Sequence, residues 1–203
     1  MAEFHRHTGI AAPFLRPNVD TDVIMPLNRQ GRAANLSQAE ICFESIRYNS
    51  DGSENPEFIL NQEPYRNASV LLAGENFGTG SSRESAVTGL MAFGFRSVIA
   101  PSFGQIFYNN CFANGMLPVV IDFDLIQLLS NSVRSNPQLP VTVDLESLIV
   151  TRAGMEPVGF EVDSRLREKL LNDLSDLDEI LAHEQAITDF QEADTKLRPW
   201  AYR

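Results

Sequence analysis

The sequence predicts an α/β fold with a mostly parallel core sheet, additional antiparallel strands and a C-terminal helical tail. Through the middle third of the chain, short apolar strand candidates alternate with helical segments, which is typical of a parallel sheet with crossover helices. Three β-rich segments then follow one another, and the pattern is helical from Asp163 onward. With 203 residues and 43% hydrophobic composition, the chain is large and apolar enough to bury its own core.

The alternating region contains three strands and three helices. The predicted order is strand 68–73, helix 82–93, strand 97–100, helix 103–113, strand 117–121 and a helix that continues through Val133. Gly94 and the Asn114-Gly115 pair end the first two helices, and Asp122 or Asp124 caps the third.

The flanking segments supply the remaining strands. Residues 8–11 predict a short strand that is followed by a turn through Pro13 and Pro17. After the third helix, residues 141–145, 148–151 and 158–162 predict antiparallel strands.

A long polar segment, about 27–67, separates the N-terminal strand from the alternating region. It lacks clear periodicity, although 36–46 predicts a short helix that starts at Ser37. A loop of this length inside a compact domain is usually functional or mobile.

The charge balance is acidic and is concentrated in the tail. The net charge is −11, and residues 161–194 hold 11 acidic and 3 basic side chains. Nucleic-acid binding requires a basic face, so we expect no nucleic-acid partner. We interpret 1–203 as a single domain, in which an α/β core at 1–162 carries an acidic helical tail at 163–203.

The distribution of cysteine and histidine argues against a metal site in this chain. Cys42 and Cys111 are the only thiols, too few for a Cys-ligated iron–sulfur cluster or structural zinc site. The histidines, His5, His7 and His183, lack ligand spacing. With no apolar signal segment and no membrane-length apolar run, we expect a cytoplasmic protein that does not contact membranes.

The glycine-rich turn after strand 68–73 is the strongest local indication of function. Gly78 and Gly80 permit positive φ and close approach of the backbone to a ligand. Ser81 or Ser82 stands where a helix begins, and helix N-termini favour anions. Arg83 disfavours the same helix dipole, so its position indicates a cation held for an external carboxylate or phosphate.

A purely structural interpretation competes with this anion site. Ser81 and Glu84 have the spacing of a capping box, in which Ser81 would be the N-cap. The turn lacks the Gly-Lys-Ser/Thr sequence of a phosphate loop and does not match the dinucleotide fingerprint, so a nucleotide site is disfavoured.

Several separated motifs resemble, in the same order, the swivelling domain of the aconitase superfamily. Within it they are most similar to the small subunits of 3-isopropylmalate dehydratases. The motifs lie at 18–22 with 24–26, at 61–65, at 76–84, at 98–103 and at 106–110. The resemblance implies a three-layer β/β/α swivelling domain whose glycine-rich turn lies at the mouth of a cleft.

The same resemblance implies a two-chain hydro-lyase of leucine biosynthesis. In this family a large subunit binds a [4Fe–4S] cluster through three cysteines, and the small subunit closes over it. Dehydration of 2-isopropylmalate, a small hydroxy-diacid, followed by rehydration at the other carbon gives 3-isopropylmalate.

The match also assigns roles to individual residues. Ser81 would be the general base, Arg83 would grip a substrate carboxylate, and Asp22 would orient a group across the subunit interface. Further substrate contacts are expected at Asn76, Thr79, Gly80, Ser82, Arg83 and Arg29.

Two departures from the family leave the substrate open. Ser85 replaces the histidine that usually follows this motif, and 27–32 lacks the usual lysine and aromatic-rich loop. A related hydro-lyase for methylmalate/citraconate or another short 2-hydroxy diacid is therefore the second interpretation, and a non-catalytic anion-binding module the third. Cys111 is predicted in the core, whereas Trp200 fits either tail packing or an interface.

Overall fold

A four-stranded parallel sheet forms the centre of the fold. The computed structural model describes residues 3–26, 37–80, 83–174, 176–181 and 183–202. The strands are β2 (Ala11–Phe14), β3 (Val70–Ala73), β4 (Ser97–Ala100) and β5 (Leu117–Val120), hydrogen-bonded in that order. Both β3 and β4 are buried at every position, as is typical of the inner strands of a parallel sheet.

Helices connect these parallel strands, which confirms the predicted alternation. They are α4 (Glu84–Phe93), between β3 and β4, and α5 (Gln105–Asn114), between β4 and β5, while α6 (Phe123–Ser135) follows β5 and leads out of this sheet. Gly94 and Gly115 follow the first two helices with positive φ values of 125° and 84°, a conformation that glycine adopts at helix ends without steric penalty.

A second, antiparallel sheet contains β1 (Arg6–Gly9), β6 (Val141–Asp144), β7 (Ile149–Thr151) and β8 (Val158–Gly159), in that order. The single strand predicted at 8–11 is therefore wrong. The chain changes sheets at Ile10, so β1 pairs with β6 and β2 pairs with β3. Pro13 lies within β2 and not in a turn, which is tolerated because β2 is an edge strand.

The described part of the long polar segment, residues 37–67, contains short helical turns. These are α2 (Gln38–Ile41), α3 (Glu44–Arg47) and 3₁₀ turns at Ile59–Asn61 and Tyr65–Asn67. Ser37 starts α2, as predicted, and it forms a capping box with Glu40. The predicted helix is split after α2, where Phe43 takes a left-handed φ of 60° and buries its ring against Phe14 and Phe58. Residues 27–36 lie outside the described part of the chain.

The C-terminal segment is helical. Its elements are α7 (Ser164–Leu171), α8 (Asp176–Leu181), α9 (Glu184–Leu197) and a closing 3₁₀ turn at Pro199–Tyr202. Asp163 caps α7 by accepting from the Arg165 and Leu166 amides.

Two sheets with their helices confirm the expected β/β/α swivelling domain. Among the described residues, no helix is long and apolar enough to cross a membrane.

Candidate active site

Two loops that the sequence singled out, 18–22 and 75–80, lie side by side at the end of β3. Three backbone hydrogen bonds of 2.7 to 2.9 Å join them, among them one from the Thr21 amide to the Thr79 carbonyl. Asp20 and Thr79 also form a parallel bridge. The glycine-rich turn is therefore held by a segment almost 60 residues earlier in the chain.

Asn18 and Asn76 lock this pair of loops. Both take left-handed backbone conformations, with φ values of 53° and 55°, which Asn tolerates better than most residues. The Asn76 side-chain amide donates to the Asn18 side-chain oxygen at 2.9 Å, and the Asn76 backbone amide donates to Ser102 Oγ at 2.9 Å. In the free chain, Asn76 thus shapes the loop.

Gly78 and Gly80 have the positive φ predicted for them, 72° and 97°, but their surroundings differ. A Cβ on Gly78 would lie 2.2 Å from Cγ of Phe107, so its bare face contacts the protein interior and not a ligand. A Cβ on Gly80 would meet nothing closer than 3.4 Å, and Gly80 is exposed. Of the two glycines, only Gly80 can lie next to a ligand.

Asp22 is placed by a single helical turn, α1 (Thr21–Ile24), that the sequence analysis did not predict. Asp20 caps it, with its side chain accepting from the Val23 amide at 2.8 Å. An aspartate directly before the turn was the available signal. Met25, just after α1, packs against Gly89 of α4, which places the C-terminal end of α1 against the middle of α4.

Arg83 occupies the N-cap position of α4 and faces Asp22. Its two terminal nitrogens contact the two Asp22 carboxylate oxygens, one at 3.1 Å and the other in a shorter contact. The Arg83 side chain is 18% exposed and that of Asp22 is 58% exposed. A guanidinium fork in this geometry matches a planar carboxylate.

This placement of Arg83 contradicts the capping-box interpretation of Ser81 and Glu84. The helix begins at Glu84, and its N-cap is Arg83, which makes no side-chain cap. Ser81, Ser82 and Arg29 lie outside the described residues. Gly80 and Arg83 are described, and both adjoin the segment around Asp22.

Ser85 lies in the first turn of α4 and is partly buried. Its carbonyl accepts a long hydrogen bond from Thr88 Oγ1 at 3.4 Å.

A surface groove of about 640 Å³ lies elsewhere, between α6 and the turn after β7, and contains none of the predicted site residues.

The two thiols do not suit an iron–sulfur cluster. Cys42 and Cys111 are both fully buried, which confirms the core position predicted for Cys111, and burial raises the pKa of each thiol. Neither therefore offers a surface thiolate. No three His, Cys, Asp or Glu side chains in the described ranges converge as metal ligands.

Comparison with known proteins places this geometry in a family. The Aconitase C-terminal domain family matches residues 1–123. The small subunits of 3-isopropylmalate dehydratase from Cereibacter sphaeroides and Marinobacter nauticus are each 44% identical to this chain. The first alignment covers 98% of this chain and all of the relative, and the second covers 100% and 98%.

A solved structure is similar over nearly the same extent. The crystal structure of 3-isopropylmalate dehydratase from Methanocaldococcus jannaschii superposes with a TM-score of 0.62 and 25% sequence identity. The match covers 91% of this chain and 98% of that one, so the two chains share their architecture over most of their length.

Proposed function

Because the chain belongs to the 3-isopropylmalate dehydratase small-subunit family of aconitase-like proteins, we propose that it is the small subunit of a two-chain hydro-lyase. The enzyme interconverts 2-isopropylmalate and 3-isopropylmalate in leucine biosynthesis, in the cytoplasm. The observation that carries the proposal is the fork contact between Arg83, at the start of α4, and a carboxylate of its own chain. Arg83 directly follows Ser81 and Ser82 in the sequence.

Arg83 binds a carboxylate of the substrate. Its side chain is mostly buried while its partner Asp22 is mostly exposed, so the guanidinium is held in place and the carboxylate opposite it is open to exchange. Asp22 orients this guanidinium as the subunits meet. Arg29, Asn76, Thr79, Gly80 and Ser82 line the rest of the substrate site.

Ser81 removes the proton from the carbon next to that carboxylate. A serine hydroxyl is a weak base in water, so its alkoxide needs stabilisation from the helix N-terminus and from Arg83. Loss of this proton and of the hydroxyl from the neighbouring carbon forms the double bond and releases water. Addition of water in the opposite sense then gives the isomer.

The reaction also needs a group that this chain does not provide. A [4Fe–4S] cluster in the large subunit supplies a Lewis acid for the departing hydroxyl when it is bound there. The burial of both thiols supports this division between the subunits.

A second candidate is a hydro-lyase of the same type for methylmalate/citraconate or another short 2-hydroxy diacid. Ser85 favours it, because it lies in the first turn of α4 beside Arg83, where family members usually carry histidine. The reaction and the roles of Ser81 and Arg83 are the same for both candidates.

The test is an assay of the co-purified pair of subunits. We expect dehydration of 2-isopropylmalate to exceed that of methylmalate, and the reverse order would favour the second candidate. Ser81→Ala should lower kcat by roughly 10²–10⁴-fold, as loss of a general base does. Ser82→Ala is the matched control and should act mainly on KM. If the assembled enzyme that carries Ser81→Ala had an unaltered kcat, Ser81 would not be the general base, and the interpretation of this chain as a non-catalytic anion-binding module would be favoured.

A further inference from the structure

The C-terminal helices expose large apolar side chains that no other part of the described chain covers. Phe190 is 60% exposed, Leu197 is 76% exposed and Trp200 is 69% exposed. Leu177, Ile180 and Leu181 of α8 are each more than half exposed as well. Large apolar side chains exposed in this number are typical of an interaction site.

In α9 these residues follow helical spacing. Ile187, Phe190, Asp194 and Leu197 recur at intervals of three and four, so they form one stripe along the helix. Every residue of α9 except Asp194 is exposed. We refer to Ile187, Phe190, Leu197 and Trp200 as the tail stripe.

The carboxylate of Asp194, which lies between Phe190 and Leu197 along the tail stripe, is neutralised by neighbouring side chains. Arg198 Nε and its terminal nitrogen donate to the two Asp194 carboxylate oxygens at 2.6 and 2.8 Å, and Tyr202 Oη donates to the second oxygen at 2.8 Å. Asp194 is only 8% exposed as a result. A carboxylate with both oxygens occupied is less costly to cover than an unpaired one.

The charge around the tail stripe restricts what can cover it. Residues 176–202 carry seven acidic side chains against Lys196 and Arg198. A second copy of the chain would bring acidic flanks against acidic flanks, which disfavours self-association. The complementary surface is an apolar groove with a basic rim.

We propose that the tail stripe docks into a basic-rimmed apolar groove on the large subunit and anchors the two subunits together. The proposal rests on the proposed function, because it takes the large subunit as the occupant. Phe190, Leu197 and Trp200 are the anchors, since aromatic and large apolar side chains in a buried patch dominate binding energy. The acidic flanks steer the approach of the basic partner.

The only tryptophan of the chain, Trp200, allows a direct test. The small subunit is labelled with 5-fluorotryptophan and titrated with the unlabelled large subunit, so that a single ¹⁹F resonance reports on the tail. We expect the resonance to move on assembly. An unmoved resonance in an assembled pair would overturn the inference.

A pair of variants tests the anchors quantitatively. Phe190→Ala with Leu197→Ala should weaken assembly at least about 10-fold, while far-ultraviolet circular dichroism stays unchanged because alanine favours helix. Thr188→Ala with Thr195→Ala, off the stripe on the same helix, is the matched control and should assemble like the unaltered chain. Raised salt should weaken assembly of the unaltered pair.

The outcomes separate this inference from the proposed function. If the apolar variant assembles as tightly as the unaltered chain and the pair dehydrates its substrate, only the docking inference fails. A stable dimer of the isolated small subunit that shields Trp200 would also overturn it. If the unaltered subunits do not assemble, both proposals fail.

Discussion

The guanidinium of Arg83 and the carboxylate of Asp22 face each other through two N–H···O contacts, although the residues are 61 positions apart. Three features hold them there: the Asp20 cap of α1, the backbone bonds between the two loops, and the contact of Met25 with Gly89. The free subunit therefore already presents an arginine in the geometry that binds a carboxylate.

The Asp22→Asn variant tests whether this carboxylate positions Arg83. The substitution keeps the shape but removes the charge, so one strong contact with the guanidinium is lost. Because Asp22 is mostly exposed, we expect a modest effect, a KM raised about 5–10-fold with little change in kcat. Steady-state kinetics of the assembled enzyme give both constants. Glu84→Gln removes a neighbouring exposed charge as the control, and equal KM values for the two variants would refute a positioning role.

Gly78 and Gly80 should differ in their tolerance of alanine. At Gly78 the added Cβ would lie 2.2 Å from the Phe107 ring in addition to the strained φ, so we expect a loss of about 3 kcal/mol. At Gly80 only the strained φ applies, which corresponds to about 1 kcal/mol. Thermal unfolding of the two variants gives the comparison, and equal melting temperatures would contradict it.

Arg152 is buried and should stabilise the end of α6. It is 4% exposed and donates to Ser132 Oγ and to the carbonyls of Ser132, Asn136 and Leu139. Arg152→Met removes these four side-chain hydrogen bonds from a buried site, and we expect a loss of about 2–4 kcal/mol in urea unfolding. Arg134→Met, which removes an exposed arginine with one long bond to Pro13, is the control and should change stability by less than about 0.5 kcal/mol.

The contributions of His5 and His7 to the free energy of unfolding should change with pH in opposite ways. Burial, together with nearby Arg96, lowers the pKa of His7, whose Nε2 lies 2.7 Å from Ser69 Oγ. As the pH falls, His7 is protonated in the unfolded chain before it is protonated in the folded chain. Stability therefore falls as the pH drops below about 6.5. Hydrogen bonding to Glu146 and then to Glu3 raises the pKa of His5. Its contribution is complete below about 6.5 and is lost as pH rises through the raised pKa.

Urea unfolding at pH 5.5, 6.5 and 7.5 separates the two histidines. His7→Gln should remove the loss of stability on the acidic side, whereas His5→Gln should leave that loss intact. His5→Gln should instead reduce the decline in stability on the alkaline side. A His7→Gln variant with the pH profile of the unaltered chain would contradict this assignment.

Two matching sequence patterns show where local inference holds and where it does not. Ser37 and Glu40 have the spacing of a capping box and form one, whereas the same spacing at Ser81 and Glu84 precedes a helix that begins at Glu84 with Arg83 in the N-cap position. The helix that follows Ser37, α2, is a single turn whose capping box involves only residues close in sequence. At the second, the loop before the helix is bonded to the distant segment 18–22, and that contact overrides the local pattern.

The alternation of strands and helices, the glycines that end the helices and the motif typical of the family could all be predicted from the sequence. These features depend on apolar periodicity and on residues a few positions apart, so they are readable along the chain. Three features could not be predicted in this way and are seen only in the folded chain: the change of sheets at Ile10, the contact of Gly78 with Phe107, and the pairing of Asp22 with Arg83. Such pairings join distant positions and are set by how whole elements pack, since burial of their apolar faces selects one arrangement.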